Sequence, residues 1–342
     1  MTIALPYIVS RSGSDVFFQT LHAALCADGM DARLIPLGHR HEFLPVLSAT
    51  ERAALAEADV IHTSVEHGWL VHIPGRPLVL TAHHNVLDPA YQNYTGLLQK
   101  LFHHVLVHPR QERSLRAASA VICVSESTRR SYAASYPESA DKLQVVYHGI
   151  DTRRFVPGDA GQRSESRGRR FSILFVGHMT RRKGADLLPS IMDRLGPTYT
   201  LTCVGQRNAA KHRTVTSSGA EIIVSQAVSD DELLRLYQEC DVLLFPSRLE
   251  GFGYAVAEAM ACGKPVVATR GSSMPELVDH ERGGLLCEEN NVTAFADAVR
   301  HICETPGLPA AIGIHNRAAV ESRFSMSVMI AKHRAIYEQV AH

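Results

Sequence analysis

The run EGFGYAVAEAMACGKPV at 250–266 constrains this chain most. Upstream, DVLLFPS reads as a buried strand, and downstream KPVVAT reads as another. Strand, glycine turn, helix and strand in that order make one unit of a parallel α/β sheet. The turn Gly251-Phe252-Gly253 then falls at the carboxyl end of its strand, where such sheets bind ligands. A helix that begins there, near Tyr254, offers backbone N–H groups and a positive dipole end, which suit a phosphate. Glu250 stands at the strand end. Glu258 stands one helical turn inside, where it can accept hydrogen bonds from sugar hydroxyls; two solvated charges at a helix end are the plainer alternative for the glutamates.

The rest of the chain repeats the theme. Strands are expected at 3–9, in DARLIPL, and at 58–64, 77–84, 119–127 and 143–151, with helices at 15–28 and about 93–118. Residues 157–170, PGDAGQRSESRGRR, lack apolar side chains apart from Ala160 and read as a solvated linker. A second βα series follows, with strands at 171–178, 199–205, 220–228, 240–247, 264–269 and 283–289. The expected organisation is a first domain at 1–156, the linker at 157–170, a second domain at 171–324 and a closing helix within 325–342. Two doubly wound sheets of this kind imply a cleft between their carboxyl ends. The 342 residues are enough for two such domains.

A second motif is VGHMTRRKGADLL at 176–188. A strand ends at Gly177, a basic turn follows, and a helix starts near Ala185. Lys183 with Arg181 or Arg182 is placed to meet an anionic ligand, as a point charge and a bidentate fork respectively. A solvated basic loop is the plainer alternative.

A glutamate, seven residues and a second glutamate, with GFG after the first and EAMACGKPVVAT around the second, resembles the signature of the retaining family 4 glycosyltransferases. The following PELV keeps the family's order. The resemblance runs over nearly the whole chain and implies the GT-B fold, two Rossmann-like domains facing each other across a cleft. It also implies a nucleotide-diphosphate sugar donor held mainly by the second domain. Glu258 would bond the ribose hydroxyls, while Glu250 and the backbone of Gly251, Phe252, Gly253 and Tyr254 would hold the sugar and diphosphate. Lys183 with Arg181 or Arg182 would stabilise the departing diphosphate. His178 stands where the family usually has an arginine, and which neighbour replaces it stays open. In the first domain, Gly13 falls on the family's glycine loop and His83 on its histidine near the transferred sugar. A plain helix-entry turn and a structural histidine are the alternatives at those two positions. The implied mechanism is front-face substitution without a covalent intermediate. The acceptor would be a lipid-linked or surface-polysaccharide saccharide.

Other features bound the function. Lys+Arg and Asp+Glu balance at 35 each, so nothing calls for a nucleic acid. The seven cysteines are scattered without a C-x-x-C and read as reduced core residues of a cytoplasmic protein. None of the 19 histidines has zinc spacing, and no Asp-x-Asp occurs, so neither a metal nor another cofactor is expected. Segment 96–119 is amphipathic and basic, with a net charge of +3 over 100–116. It reads either as a core helix, kinked or broken at Pro109, or as a peripheral membrane contact. A non-catalytic sugar-nucleotide or carbohydrate-binding protein, and another GT-B enzyme such as an epimerase or phosphorylase, are the rival readings.

Overall fold

The structure, a computed structural model, describes residues 1–9, 13–42, 46–158, 170–206, 212–226 and 228–342, with backbone alone at 13, 206 and 226. The described residues form two compact units, Met1–Gly149 with Met326–His342, and Ile150–Ser325. Residues 159–169 of the expected linker lie outside the described residues.

The first unit is a six-stranded parallel sheet. Its strands are β1 (Thr2–Ile8), β2 (Asp31–Leu37), β3 (Val60–Ser64), β4 (Leu78–Ala82), β5 (Ala120–Cys123) and β6 (Leu143–Val145), in the order β2-β1-β3-β4-β5-β6. β3, β4 and β5 are buried along their whole length, which is why they read as unbroken apolar runs. Alternate side chains feed two cores. Ile61, Leu78, Leu80 and Val121 face one layer. Ile3, Leu5, Val60, Val79 and Ile122 face the other, beside Phe17 and Phe18 of the helix Gly13–Ala27 and Met329 and Tyr337 of the helix Met326–Ala341.

The second unit is a seven-stranded sheet. Its strands are β7 (Phe171–Val176), β8 (Tyr199–Gln206), β9 (His212–Val215), β10 (Glu221–Gln226), β11 (Val242–Phe245), β12 (Val266–Thr269) and β13 (Gly284–Cys287). Their order is β13-β12-β11-β7-β8-β10-β9, parallel except for β9. Ile173, Phe175, Leu201, Val242, Leu244 and Val267 pack one face against the helices Leu188–Leu195 and Val292–Glu304. The helix Tyr254–Ala261 packs with the helix Leu308–Arg323.

Two expectations need correction. The strand expected over 143–151 stops at Val145. The long helix expected over 93–118 is three pieces, Leu97–Phe102, a π-helical turn His103–Val107, and His108–Ala117. The residues at the joins, Phe102, His103, Val107 and His108, are all right-handed helical, so the pieces run on from one another and Pro109 stands inside the stretch, directly after the π-helical turn, where it lacks an N–H for the helical ladder.

Candidate active site

β7 and β11 are adjacent and parallel, and the chain order reverses between them. β8 and β10 lie outward of β7, while β12 and β13 lie outward of β11. Ligands of doubly wound sheets sit beyond the carboxyl ends of the strands at such a reversal. The basic turn follows β7, and Glu250-Gly251-Phe252-Gly253 follows β11. Topology therefore brings the two motifs together, although about 70 residues separate them in sequence.

Lys183 Nζ donates to Glu250 Oε1 at 2.5 Å, and Ser247 Oγ donates to the same oxygen at 2.5 Å. The side chains of Lys183 and Glu250 are 16% and 8% exposed, so the pair is held largely out of water. The ammonium also lies 5.4 Å from the centroid of the Phe245 ring, within cation–π range. Two glycines make the approach of these loops possible. Gly184 has φ +74°, and a Cβ there would stand 2.1 Å from the Pro246 carbonyl oxygen. Gly253 has φ +105° and opens the helix Tyr254–Ala261. Ser272 Oγ accepts from the Glu250 N–H at 3.1 Å, and Ser273 Oγ donates to the Phe252 carbonyl at 2.7 Å.

The two arginines differ. Arg182 Nη1 donates to the Leu249 carbonyl at 2.8 Å, one residue before Glu250. Arg181 is exposed, as is His178. The turn itself is braced by Arg248, whose side chain is 5% exposed. Its guanidinium reaches both oxygens of Asp186, at 2.7 and 2.9 Å, and also Asn290 Oδ1 and the Arg181 carbonyl. That hydrogen bonding holds the Asp186 carboxyl below its usual range. Arg248 escapes a reading by sequence pattern because a charged residue after a strand looks solvated. Its one local signal is its place between the buried strand and Glu250.

Glu258 sits inside the helix Tyr254–Ala261 and accepts a hydrogen bond from Tyr237 at 2.8 Å. Burial pushes its carboxyl up, against the opposing pull of that bond. Phe252 is buried, edge-on to Phe324 and Tyr254, and Tyr254 is partly exposed.

In the first unit, Gly13 opens the helix that follows β1. His83 follows β4 directly. Its ring stacks on His148 at 5.4 Å and meets Phe17 edge-on at 4.9 Å, while its buried Nε2 has no hydrogen-bond partner. Burial, helped by the neighbouring His84, lowers its pKa to about 3, so this is a neutral imidazole. Among the described residues, no group of three or more His, Cys, Asp or Glu side chains is arranged to hold a metal ion, and no helix is long and apolar enough to cross a membrane.

The fold is that of a sugar transferase. Two family models match the chain, glycosyl transferases group 1 over residues 160–318 and glycosyltransferase family 4 over residues 7–154. A D-inositol 3-phosphate glycosyltransferase of Pseudarthrobacter chlorophenolicus is 26% identical over 317 residues, covering 83% of this chain and 72% of that protein. The sucrose-phosphate synthase of Thermosynechococcus elongatus superposes with a TM-score of 0.78 at 19% identity, over 99% of this chain and 98% of that one. HepE of Anabaena, solved with UDP and glucose, does so with a TM-score of 0.75 at 18% identity, over 98% of each chain. This chain belongs to the family 4, or group 1, glycosyltransferases, with two parallel-sheet domains of the GT-B type.

Proposed function

We propose that the chain is a retaining hexosyltransferase that moves a sugar from a nucleotide-diphosphate donor to a lipid-linked or surface-polysaccharide saccharide. The observation that carries this reading is the buried Lys183–Glu250 pair at the β7/β11 reversal, against the start of the helix Tyr254–Ala261. A strand-end lysine and a helix N-terminus together stabilise a diphosphate. The UDP bound in HepE, a protein of the same fold, supports a nucleotide donor.

In this reading the donor's diphosphate takes over the Lys183 ammonium from Glu250. The released carboxylate is then available to sugar hydroxyls. Arg182, aimed at the same loop, is the arginine that replaces the one missing at His178. Gly251, Phe252, Gly253 and Tyr254 supply backbone along the sugar and diphosphate. Glu258 takes the ribose hydroxyls, with Tyr237 fixing its orientation. Gly13 and neutral His83 belong to the acceptor side. As the bond to the anomeric carbon breaks, negative charge gathers on the leaving phosphate, which Lys183, Arg182 and the helix dipole stabilise. The same phosphate takes the acceptor's proton as the acceptor oxygen attacks from that face. No metal or other cofactor takes part in the proposal.

The test is a melting-temperature screen with UDP, GDP, ADP and TDP, each with magnesium and with EDTA, followed by product analysis with and without acceptor. A ligand at 100 times its Kd adds about 2.7 kcal/mol of stability. A shift with one diphosphate, kept in EDTA and lost in Lys183→Ala, is the expected result. Conversion of the donor sugar to an isomer without acceptor would replace transfer by epimerisation. Trapping a glycosyl-enzyme by mass spectrometry would overturn the front-face mechanism.

A further inference from the structure

The turn after β12 grips the Glu250–Gly253 loop at three points. Met274 N–H donates to the Gly271 carbonyl at 3.1 Å, which closes a tight turn with Ser272 and Ser273 at its centre. Ser272 Oγ accepts from the Glu250 N–H at 3.1 Å, and Ser273 Oγ donates to the Phe252 carbonyl at 2.7 Å. Buried Met274 is the side chain that a Cβ on Gly253 would strike.

That turn is built against the chain's own preference. Ser272 has φ +46° and Ser273 φ −79°, the signs of a type II′ turn, whose first central position ordinarily belongs to glycine. Gly271, next to it, does not carry the positive φ. Among the described residues, the other non-glycines with positive φ are Glu281 and Asn290. Both are exposed, and asparagine tolerates the left-handed region, whereas Ser272 is partly buried. Backbone strain of this kind persists only where the surroundings over-determine it, and it collects at functional sites.

What serine supplies there and glycine cannot is the hydroxyl oxygen that takes the Glu250 N–H. Glu250 Oε1 in turn meets both Lys183 Nζ and Ser247 Oγ, each at 2.5 Å. A shift of the Glu250 backbone would therefore carry the carboxylate off the ammonium. We infer that Ser272 is a positioning residue. Its strained backbone aims the hydroxyl at the Glu250 N–H, and the hydroxyl fixes the Glu250 carboxylate for its work at the donor. The inference rests on the donor-site reading of Lys183 and Glu250 and deepens it.

Three substitutions separate the hydroxyl from the backbone. Ser272→Ala removes the hydroxyl and keeps the strain. Ser272→Gly removes both. Ser272→Thr keeps the hydroxyl and, being β-branched, adds strain. Melting temperature should follow the backbone, with the glycine variant above the alanine variant and the threonine variant below wild type. Function should follow the hydroxyl. Release of UDP from UDP-glucose, or of GDP from GDP-mannose, should show kcat lowered by up to about 100-fold in the glycine and alanine variants, at little changed KM, and near wild type with threonine. Hydrogen exchange read by mass spectrometry should quicken at the Glu250 amide in the first two variants and not in the third. With Lys183→Ala still impaired, a glycine variant of wild-type kcat, or one whose Glu250 amide exchanges as in wild type, would overturn the inference alone. So would a threonine variant as slow as the glycine one. If wild type turned over neither donor and Lys183→Ala left UDP and GDP affinity unchanged, the donor-site reading would fall and take the inference with it.

Discussion

Lys183 and Glu250 hold each other in a nearly dry place, and a charge left there without its partner is costly. Lys183→Ala should therefore do two separable things. It should lower kcat by about 100-fold or more, the usual effect of removing one electrostatic contact to a transition state. It should also weaken nucleotide-diphosphate binding in titration calorimetry. An unchanged kcat would sink the assignment. Arg248 makes a second, less direct prediction. Its planar fork spans both oxygens of Asp186, which a lysine cannot copy, so Arg248→Lys should not rescue Arg248→Ala. If Arg248 positions the Lys183 turn, Arg248→Ala should lower kcat and diphosphate affinity and melt earlier, with a coupling of about 0.5–3 kcal/mol to Asp186→Ala in a double-mutant cycle. Full activity with only a lower melting point would reduce Arg248 to a structural brace. The contrast between the two residues shows what a sequence can hold. Lys183 and Glu250 are legible because each sits in a local strand–turn–helix pattern. Arg248 and Tyr237 are not, because their meaning lies in partners, Asp186 and Glu258, that only the folded chain brings near.

At the scale of elements, buried parallel strands announce themselves as apolar runs, and the central strands of both sheets were legible for that reason. Their ends were not. Buried Val124 and Val146 continue the apolar runs past Cys123 and Val145 and still bond the neighbouring strand at 3.3 and 3.0 Å, so the pattern does not mark where the polar residues after them leave the sheet. β9 gives no signal at all, since HRTV is exposed along its length and pairs only at the sheet edge. The turn before the helix Tyr254–Ala261 was legible as a glycine turn, but its backbone conformation was not. Gly253 stands at φ +105°, and a Cβ there would lie 2.5 Å from the Met274 Cε. A flexible methionine end can move, whereas the backbone conformation cannot change without reorienting the helix start. Gly253→Ala should thus cost about 1–3 kcal/mol in urea denaturation and weaken diphosphate binding. Adding Met274→Ala should restore little of either. Full recovery in the double variant would mean that the contact, not the backbone, sets the requirement for glycine.

For the whole molecule, the two units should respond differently to acid. The first has histidines in its core. His62, His148 and His333 are buried, and His83 stacks against His148. His62 bonds Tyr337 Oη at 2.6 Å and Thr81 Oγ1 at 2.7 Å, which ties β3 and β4 to the helix Met326–Ala341. Burial lowers the pKa of all four, His83 to about 3 and His333 to about 4, with mutual repulsion adding to the effect on His62 and His148. The sign follows directly. The unfolded chain takes up protons near the ordinary value of 6.5, while the folded unit refuses them until much lower pH. Stability is therefore complete above about 6.5 and falls as pH drops toward 4, by about 1.4 kcal/mol per pH unit for each histidine that titrates. Histidines pattern poorly in sequence, and the nineteen here show no metal spacing that would give them a role. The fold shows instead why these four are neutral, as is His67, which burial lowers to about 4. Melting followed by tryptophan fluorescence reports this unit, since the single tryptophan, Trp69, lies within it. Its transition should drop steeply between pH 6.5 and 4.5, and His333→Leu should flatten the slope by about one proton's worth. A slope that this substitution leaves unchanged would mean that protons enter elsewhere, with the carboxylates of the first unit as the next place to look.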